Sequence, residues 1–484
     1  MKAYCLKKAH ENLPILTENL ILPQVEQRVL TKGDVVTIDL GDHYVGYFSF
    51  VMDYVDFYID APIKLCVKFA ESKDELEADF AAYKGKLCAS WLQEEIVNLD
   101  ATGEFRMPRR YAARYIRITV LQTPKKFTLS HFAFRAVTSA DQSALQEKKI
   151  DDPLLAHIDS VATKTLKNCM QRVFEDGPKR DRRLWTGDFY LEALANSRTF
   201  ANFALVRRCL YLFAASDKNA HGFFPGFVFE NPVFASGIWF LEDYALLYAV
   251  TLCDYYEETK DEATFWELYP VAKSQIDAAI QTLDESGRIT IPNGCDAFID
   301  WCPGLHKRVS LHGVFLFALK TFSSLLVKLA HTDAAYYTAQ YEAAKMAALA
   351  LFYDKEKTMV VSEIDHGQYS VHATVWMILG GVLEGEAAKQ ALLAVLASKD
   401  SVKPFTPYMH HYVVAAFVSL SLWEEAFAYI KTVWGGMLLR GVDTFPEVYL
   451  PSEPGFSPYG DAMINSMCHA WSCTPSYFIR SYDT

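Results

Sequence analysis

Residues 175–190 read EDGPKRDRRLWTGDFY and set four carboxylates and four basic side chains around one Trp and two Gly, between apolar stretches of helical period. A solvated loop neutralised by its own arginines would account for this. Carboxylates held among arginines and an indole can also take different protonation states, which is what paired acid and base catalysis needs. Three further places gather polar and aromatic groups outside the apolar periodicity. CDAFIDWCPG (295–304) joins Asp296, Asp300 and Trp301, GVDTFPEVYLP (441–451) carries Glu447 after a Gly and a Pro, and SPYGDAMINSMCHAWSCTPS (457–476) holds His469 and Trp471. Each has a plainer reading: Asp300 as a helix N-cap beside a core indole, Glu447 as a surface residue, His469 as a satisfied core histidine. Together they offer two well-separated carboxylates and an aromatic platform, the equipment of glycosidic-bond cleavage.

Two kinds of sequence must position these groups. Up to residue 145 the chain has short alternating or apolar runs, among them VVTIDL, YVGYFSFVM, KLCVKFA, YIRITVL and KFTLSHFAFRAV, separated by Gly, Asp, Asn and Pro turns. This pattern predicts a β-sandwich over residues 1–145. From 146 to 484 apolar residues recur at i, i+3, i+4 and i+7, as in DDPLLAHIDSVATKTLKNCM and VSLHGVFLFALKTFSSLLVKLAHT. About a dozen such helices with Gly- and Pro-rich connections predict an (α/α)6 barrel of inner and outer helices. SADQSALQEKKI (139–150), polar and without core-forming residues, reads as the linker.

Composition narrows the partners. Of 484 residues, 51% are hydrophobic and 22% charged, as in a well-cored globular protein, and the 14% aromatic share suits a site that stacks on rings. A net charge of −12 argues against nucleic acid or an anionic membrane as partner. No run approaches the roughly 18 apolar residues of a membrane span. MKAYCLKKAHENLP has no apolar signal-peptide core, so the ten scattered cysteines are expected to be reduced thiols of a cytoplasmic protein. Cys and His never take zinc-ligand spacing, and neither metal nor cofactor is expected.

DGPKRDRRLWTGD resembles the D-x-P-x-R-(D/E) … W-x-G-D signature of the α-L-rhamnosidases of glycoside hydrolase family 78. NSMCHAWSCTPSYF resembles that family's late S-x-C-H-x-W-S … P segment, and GVDTFPE its G-x-T-(S/T/F)-x-E segment, while AFIDW is similar to a further stretch of it. The resemblance covers the helical half. It implies an inverting glycosidase with Asp181, seven residues before Asp188, as general acid; many members have Glu there. It makes Glu447 the general base that activates water. Asp176, Arg180, Asp188 and Asp300 would hold sugar hydroxyls, with Trp185, Trp239, Trp301 and His469 shaping the pocket. Pro446 stands where an aromatic is common. The chain ends soon after this last motif, and is expected to lack the C-terminal β-domain of larger relatives. Small rhamnosyl glycosides or disaccharides are the expected substrates, with a homodimer possible. A helical-barrel hydrolase for another sugar, or a carbohydrate-binding protein without turnover, remain alternatives.

Overall fold

The computed structural model describes residues 1–55, 61–364 and 367–482. The chain opens with helix α1 (Lys2–Glu11), whose Cys5 and Ala9, four residues apart, are buried in the core of the helical domain. Arg208 donates to the Ala9 carbonyl (2.6 Å) and Tyr4 to Glu267 (2.8 Å). The opening residues therefore pack with the helices and not with the strands that follow. The reason is a small apolar stripe at helical spacing with no strand alternation around it.

Eight strands follow: β1 (Thr17–Ile21), β2 (Val29–Leu30), β3 (Val35–Tyr54), β4 (Ile63–Ala70), β5 (Glu94–Leu99), β6 (Gly103–Arg106), β7 (Tyr111–Gln122) and β8 (Phe127–Thr138). They form one antiparallel sheet of order β1-β8-β3-β7-β4-β5, with β2 on β8 and β6 on β3. VVTIDL and YVGYFSFVM, two runs in the sequence, are one twenty-residue strand, β3. The Gly41-Asp42 break is a register irregularity and not a turn: Gly41 has φ +84° and donates to Asp39 Oδ1 (2.8 Å). Inward residues of these strands, Phe48, Phe69, Tyr111, Phe127 and Phe134 among them, make one core. Helix α2 (Lys73–Glu77), capped by Ser72, follows β4.

The helical domain comprises α3 (Pro153–Cys169), α4 (Thr186–Ser197), α5 (Phe203–Ala214), α6 (Glu242–Thr259), α7 (Glu262–Gln281), α8 (Arg308–Lys328) and α9 (Ala334–Phe352). It continues with α10 (Val371–Leu379), α11 (Gly385–Ala397), α12 (Pro407–Ser419), α13 (Trp423–Leu438) and α14 (Pro475–Ser481). Helices α4, α6, α8, α10 and α12 touch in succession, and the 3₁₀ turn Ala470–Ser472 closes the round by touching both α12 and α4. Helices α6, α8, α10 and α12 are buried on nearly every side, whereas α9, α11 and α13 each keep an exposed face. By length and composition α8 could cross a membrane, contrary to the sequence reading. With 78% of its apolar window buried in the protein, it is a core helix. All ten cysteines are free thiols.

Candidate active site

The charge-rich loop runs from α3 into α4 and is folded on itself around Asp176. Its main-chain N–H donates to the Arg183 carbonyl (3.0 Å), Oδ1 accepts from Arg183 N–H (2.9 Å), and Oδ2 from Asp181 N–H (3.3 Å). Gly177 permits this closure, because a Cβ there would lie 2.3 Å from the Arg180 carbonyl oxygen. Leu184–Trp185 then pairs with Phe227–Val228, and α4 starts at Thr186 with Asp188 in its first turn. The loop is not a solvated one. Asp176, Lys179 and Arg180 are 4%, 1% and 2% exposed, so their charges must be satisfied by one another and by the residues packed on them.

Glu447 comes from the segment after α13, which lies against the segment before α14. Glu447 N–H donates to the Ser466 carbonyl (3.0 Å), Ser466 N–H donates back to Glu447 Oε2 (3.3 Å), and Trp471 Nε1 donates to the Glu447 carbonyl (2.9 Å). The Pro446 carbonyl accepts from Ser472 (2.6 Å), so the proline sits inside this lattice. Arg180 ties the two regions together. One of its terminal nitrogens donates to Glu447 Oε2, the other to Asp181 Oδ1 (3.3 Å), and its Nε to the Ile464 carbonyl (3.2 Å). Tyr459 donates to the other Glu447 oxygen (2.5 Å), and its ring lies 4.4 Å under the guanidinium.

These groups line a cleft of about 350 Å³ together with Asp176, Trp185, Asp188, Trp239, Trp301 and His469. Trp185 packs on Trp239 (ring centroids 5.9 Å apart) and on Tyr244 (6.3 Å), and Trp239 is 56% exposed at the rim. Trp301 meets Tyr459 edge-on at 5.7 Å. Asp188 Oδ1 lies 3.5 Å from His469 Nδ1, and these two atoms and Trp301 Nε1 are buried without a hydrogen-bond partner. Unpaired polar atoms on an aromatic-walled cleft are the kind of groups that sugar hydroxyls bond.

Asp300 is not brought into the cleft. It is buried and saturated: Oδ1 accepts from Trp301 N–H (2.8 Å) and Thr406 Oγ1 (2.7 Å), Oδ2 from Phe405 N–H (2.8 Å), and His372 Nε2 stands 2.7 Å from Oδ2. With Asp243, which accepts from Phe298 and Ile299 N–H (3.1 and 2.9 Å), it pins the loop that presents Phe298 and Trp301. Ile299 is held there at φ +52°, an unfavourable conformation for a β-branched residue. Sequence reasoning missed Tyr459, although it lies inside a quoted segment. It also missed Glu192, one turn beyond Asp188 on α4, fully buried with neither oxygen bonded. Glu192's signal was its i, i+4 spacing from Asp188.

Electrostatics differentiates the carboxyls. Burial, then the charges of Asp176 and Glu447, pushes Asp188 well above the ordinary carboxylate range; burial and Asp181 do the same to Asp176. Burial alone would also raise Glu447, but Arg180 foremost, with the Tyr459 hydrogen bond, brings it below its usual value. Burial lowers His469 to about 4, leaving a neutral imidazole near pH 7. The cleft therefore holds one carboxyl, Glu447, drawn toward its ionised form beside two, Asp176 and Asp188, that burial pushes the other way. Among the described residues no group of three or more His, Cys, Asp or Glu could hold a metal ion.

A ring of helices that gathers paired carboxyls and indoles at such a cleft is the architecture of a glycoside hydrolase, as the comparisons with known proteins confirm. The N-terminal domain of glycosyl hydrolase family 78 α-rhamnosidases matches residues 16–139, and the bacterial α-L-rhamnosidase six-hairpin glycosidase domain matches residues 147–482. The chain belongs to glycoside hydrolase family 78, the α-L-rhamnosidases. Its structure is similar to that of the rhamnosidase from Klebsiella oxytoca with rhamnose bound: 37% identity, TM-score 0.94, 99% of this chain and 98% of that one. The family 78 rhamnosidase of Bacillus sp. GL1 has 22% identity and TM-score 0.78, over 95% of this chain and 48% of that one. The Streptomyces avermitilis α-L-rhamnosidase complexed with L-rhamnose has 16% identity and TM-score 0.70, over 96% and 43%. These last two likenesses concern the fold alone. No curated protein sequence matches the chain.

Proposed function

We propose that this enzyme removes terminal α-L-rhamnose from small rhamnosides by a single displacement with inversion, Asp181 acting as general acid and Glu447 as general base. The observation that carries the reading is Arg180, whose two terminal nitrogens bond Asp181 and Glu447 from one guanidinium, so that both carboxyls face one cleft. Glu447, held ionised, takes a proton from water on one face of the sugar. Asp181 delivers a proton to the leaving oxygen on the other. Asp188, whose Oδ1 has no partner in the protein, and Asp176 beside it offer carboxyl oxygens to rhamnose hydroxyls. The neutral His469 and the indoles of Trp185, Trp239 and Trp301 complete the pocket. On this reading the strand domain closes as a β-sandwich, and the helices pair as an (α/α)6 barrel whose successive inner contacts surround the cleft. A cleft of about 350 Å³ suits a monosaccharide with a small aglycone, in keeping with cytoplasmic action on rhamnosyl disaccharides.

Hydrolysis of a panel of nitrophenyl glycosides tests the proposal. Turnover of the α-L-rhamnoside, with the other glycosides cleaved far more slowly, is the expected result. Faster turnover of another glycoside would reassign the sugar, and rhamnose binding without turnover of any member would make the protein a carbohydrate binder.

A further inference from the structure

We propose that Glu71 and Glu75 of the strand domain, together with Lys179 of the catalytic loop, are positioning residues for Glu447, so that the strand domain is a working part of the active site. The proposal rests on Glu447 being the base. Lys179 precedes Arg180 and is 1% exposed. Its ammonium pairs with Glu75 Oε1 (2.7 Å), stands 3.8 Å from Glu71 Oε2, and donates to the Asn465 and Met463 carbonyls (2.9 and 3.3 Å). Glu71 Oε2 accepts from Met467 N–H (2.7 Å), its own N–H donates to Glu75 Oε2 (2.8 Å), and its Oε1 lies 3.0 Å from His43 Nε2 of β3. Asn168 of α3 bonds the other side of that imidazole (2.9 Å).

The segment 463–467 is thus gripped on two sides. Lys179 and Glu71 hold Met463, Asn465 and Met467, while Arg180 holds Ile464 and Glu447 exchanges two hydrogen bonds with Ser466. A displacement of this segment moves Ser466 and Arg180, the two groups that fix Glu447 Oε2. A fully buried charged cluster is a poor source of stability, because desolvation offsets most of its attraction, and apolar side chains would fill the space as well. Its contribution is direction: four donors and four carboxylate oxygens fix one register between two domains.

The test uses the full-length enzyme with Glu71→Gln, Glu75→Gln and Lys179→Met, assayed on nitrophenyl rhamnoside, whose leaving group needs little acid assistance. Glu71→Gln is isosteric and keeps an acceptor for Met467, so it stands as the informative variant if Lys179→Met does not fold. Around Glu447 stand Arg180 and Asp181 of the loop, Asp188 of α4, and Tyr459 and His469 of the late segment. Of these Arg180 sets the low position of its titration. We expect kcat to fall about 10- to 100-fold with KM little changed. The acidic limb of the pH profile should move to higher pH as Glu447 loses its close approach to Arg180. Wild-type kcat and an unmoved limb in Glu71→Gln would overturn the proposal, whatever the melting temperature. A slower enzyme with an unmoved limb would overturn it too, since general loosening does that. Glu447→Ala, assayed alongside, separates the two layers: if it stays active, the base assignment itself has failed.

Discussion

Asp181→Ala is expected to slow hydrolysis of a rhamnosyl disaccharide or alkyl rhamnoside by about 10²–10⁴, the usual contribution of a general acid. The same variant should lose far less on nitrophenyl rhamnoside, because nitrophenolate departs readily without a proton. Glu447→Ala should behave otherwise. Water must be activated whichever group leaves, so its loss should be similar on both substrates, and azide, attacking in place of water, should restore part of it. If Asp181 served only as a counter-charge to Arg180 and Arg183, which stand 3.3 and 3.5 Å away, its removal would lower stability and slow both substrates alike. Both variants on both substrates, with melting temperature measured alongside, decide the matter.

The second large effect is expected from Arg180→Ala. This change removes the cation that holds the buried Glu447 below its usual titration range. Burial then acts on Glu447 with its chief opponent gone, and its carboxyl should rise above the ordinary value of about 4.3. In the parent enzyme Glu447 is depressed, so the stability its ion pair contributes is present above the unfolded-state pKa and lost as pH falls through the folded one. In the variant the sign reverses: an unpaired buried carboxylate destabilises at neutral pH and is relieved by protonation on acidification. Leaving one partner of a buried pair costs about 3–5 kcal/mol. The melting-temperature deficit should therefore be large at pH 7 and shrink toward pH 4. Over the same range the acidic limb of kcat/KM should move up. A deficit independent of pH, with an unmoved limb, would show that Arg180 does not control Glu447.

The sequence made the cleft more legible than the interactions inside it. Asp176, Arg180, Asp181, Trp185, Asp188, Trp239, Trp301, Glu447 and His469 do line one cleft, and all but Trp239 lie in segments that interrupt strong helical periodicity with polar residues that a core would reject. Asp300 was misread for a physical reason. Its neighbours in sequence mark it as a loop carboxylate beside an indole, but the donors that saturate it come from Phe405, Thr406 and His372, more than seventy residues away. A solvated loop stayed open as the plainer reading of residues 175–190 for a similar reason. Lys179's carboxylate partners lie in another domain, a hundred residues earlier. Tyr459 had no signal of its own, since a tyrosine becomes a functional group here only through its bond to Glu447. The strand and helical halves were plain from the change of period. Helix α1, polar and isolated from any periodic run, was not.

The account as a whole turns on water attacking directly beneath Glu447 while Asp181 protonates the opposite side. The carboxyls of an inverting pair stand about 6.5–9.5 Å apart, leaving room for that water, against about 5 Å where a covalent intermediate forms. Proton NMR of an α-rhamnoside digest, recorded within the first turnovers and before mutarotation, reads the outcome directly. The account predicts that β-L-rhamnose appears first and the α-anomer only as mutarotation proceeds; α-L-rhamnose as the first-formed product would contradict it.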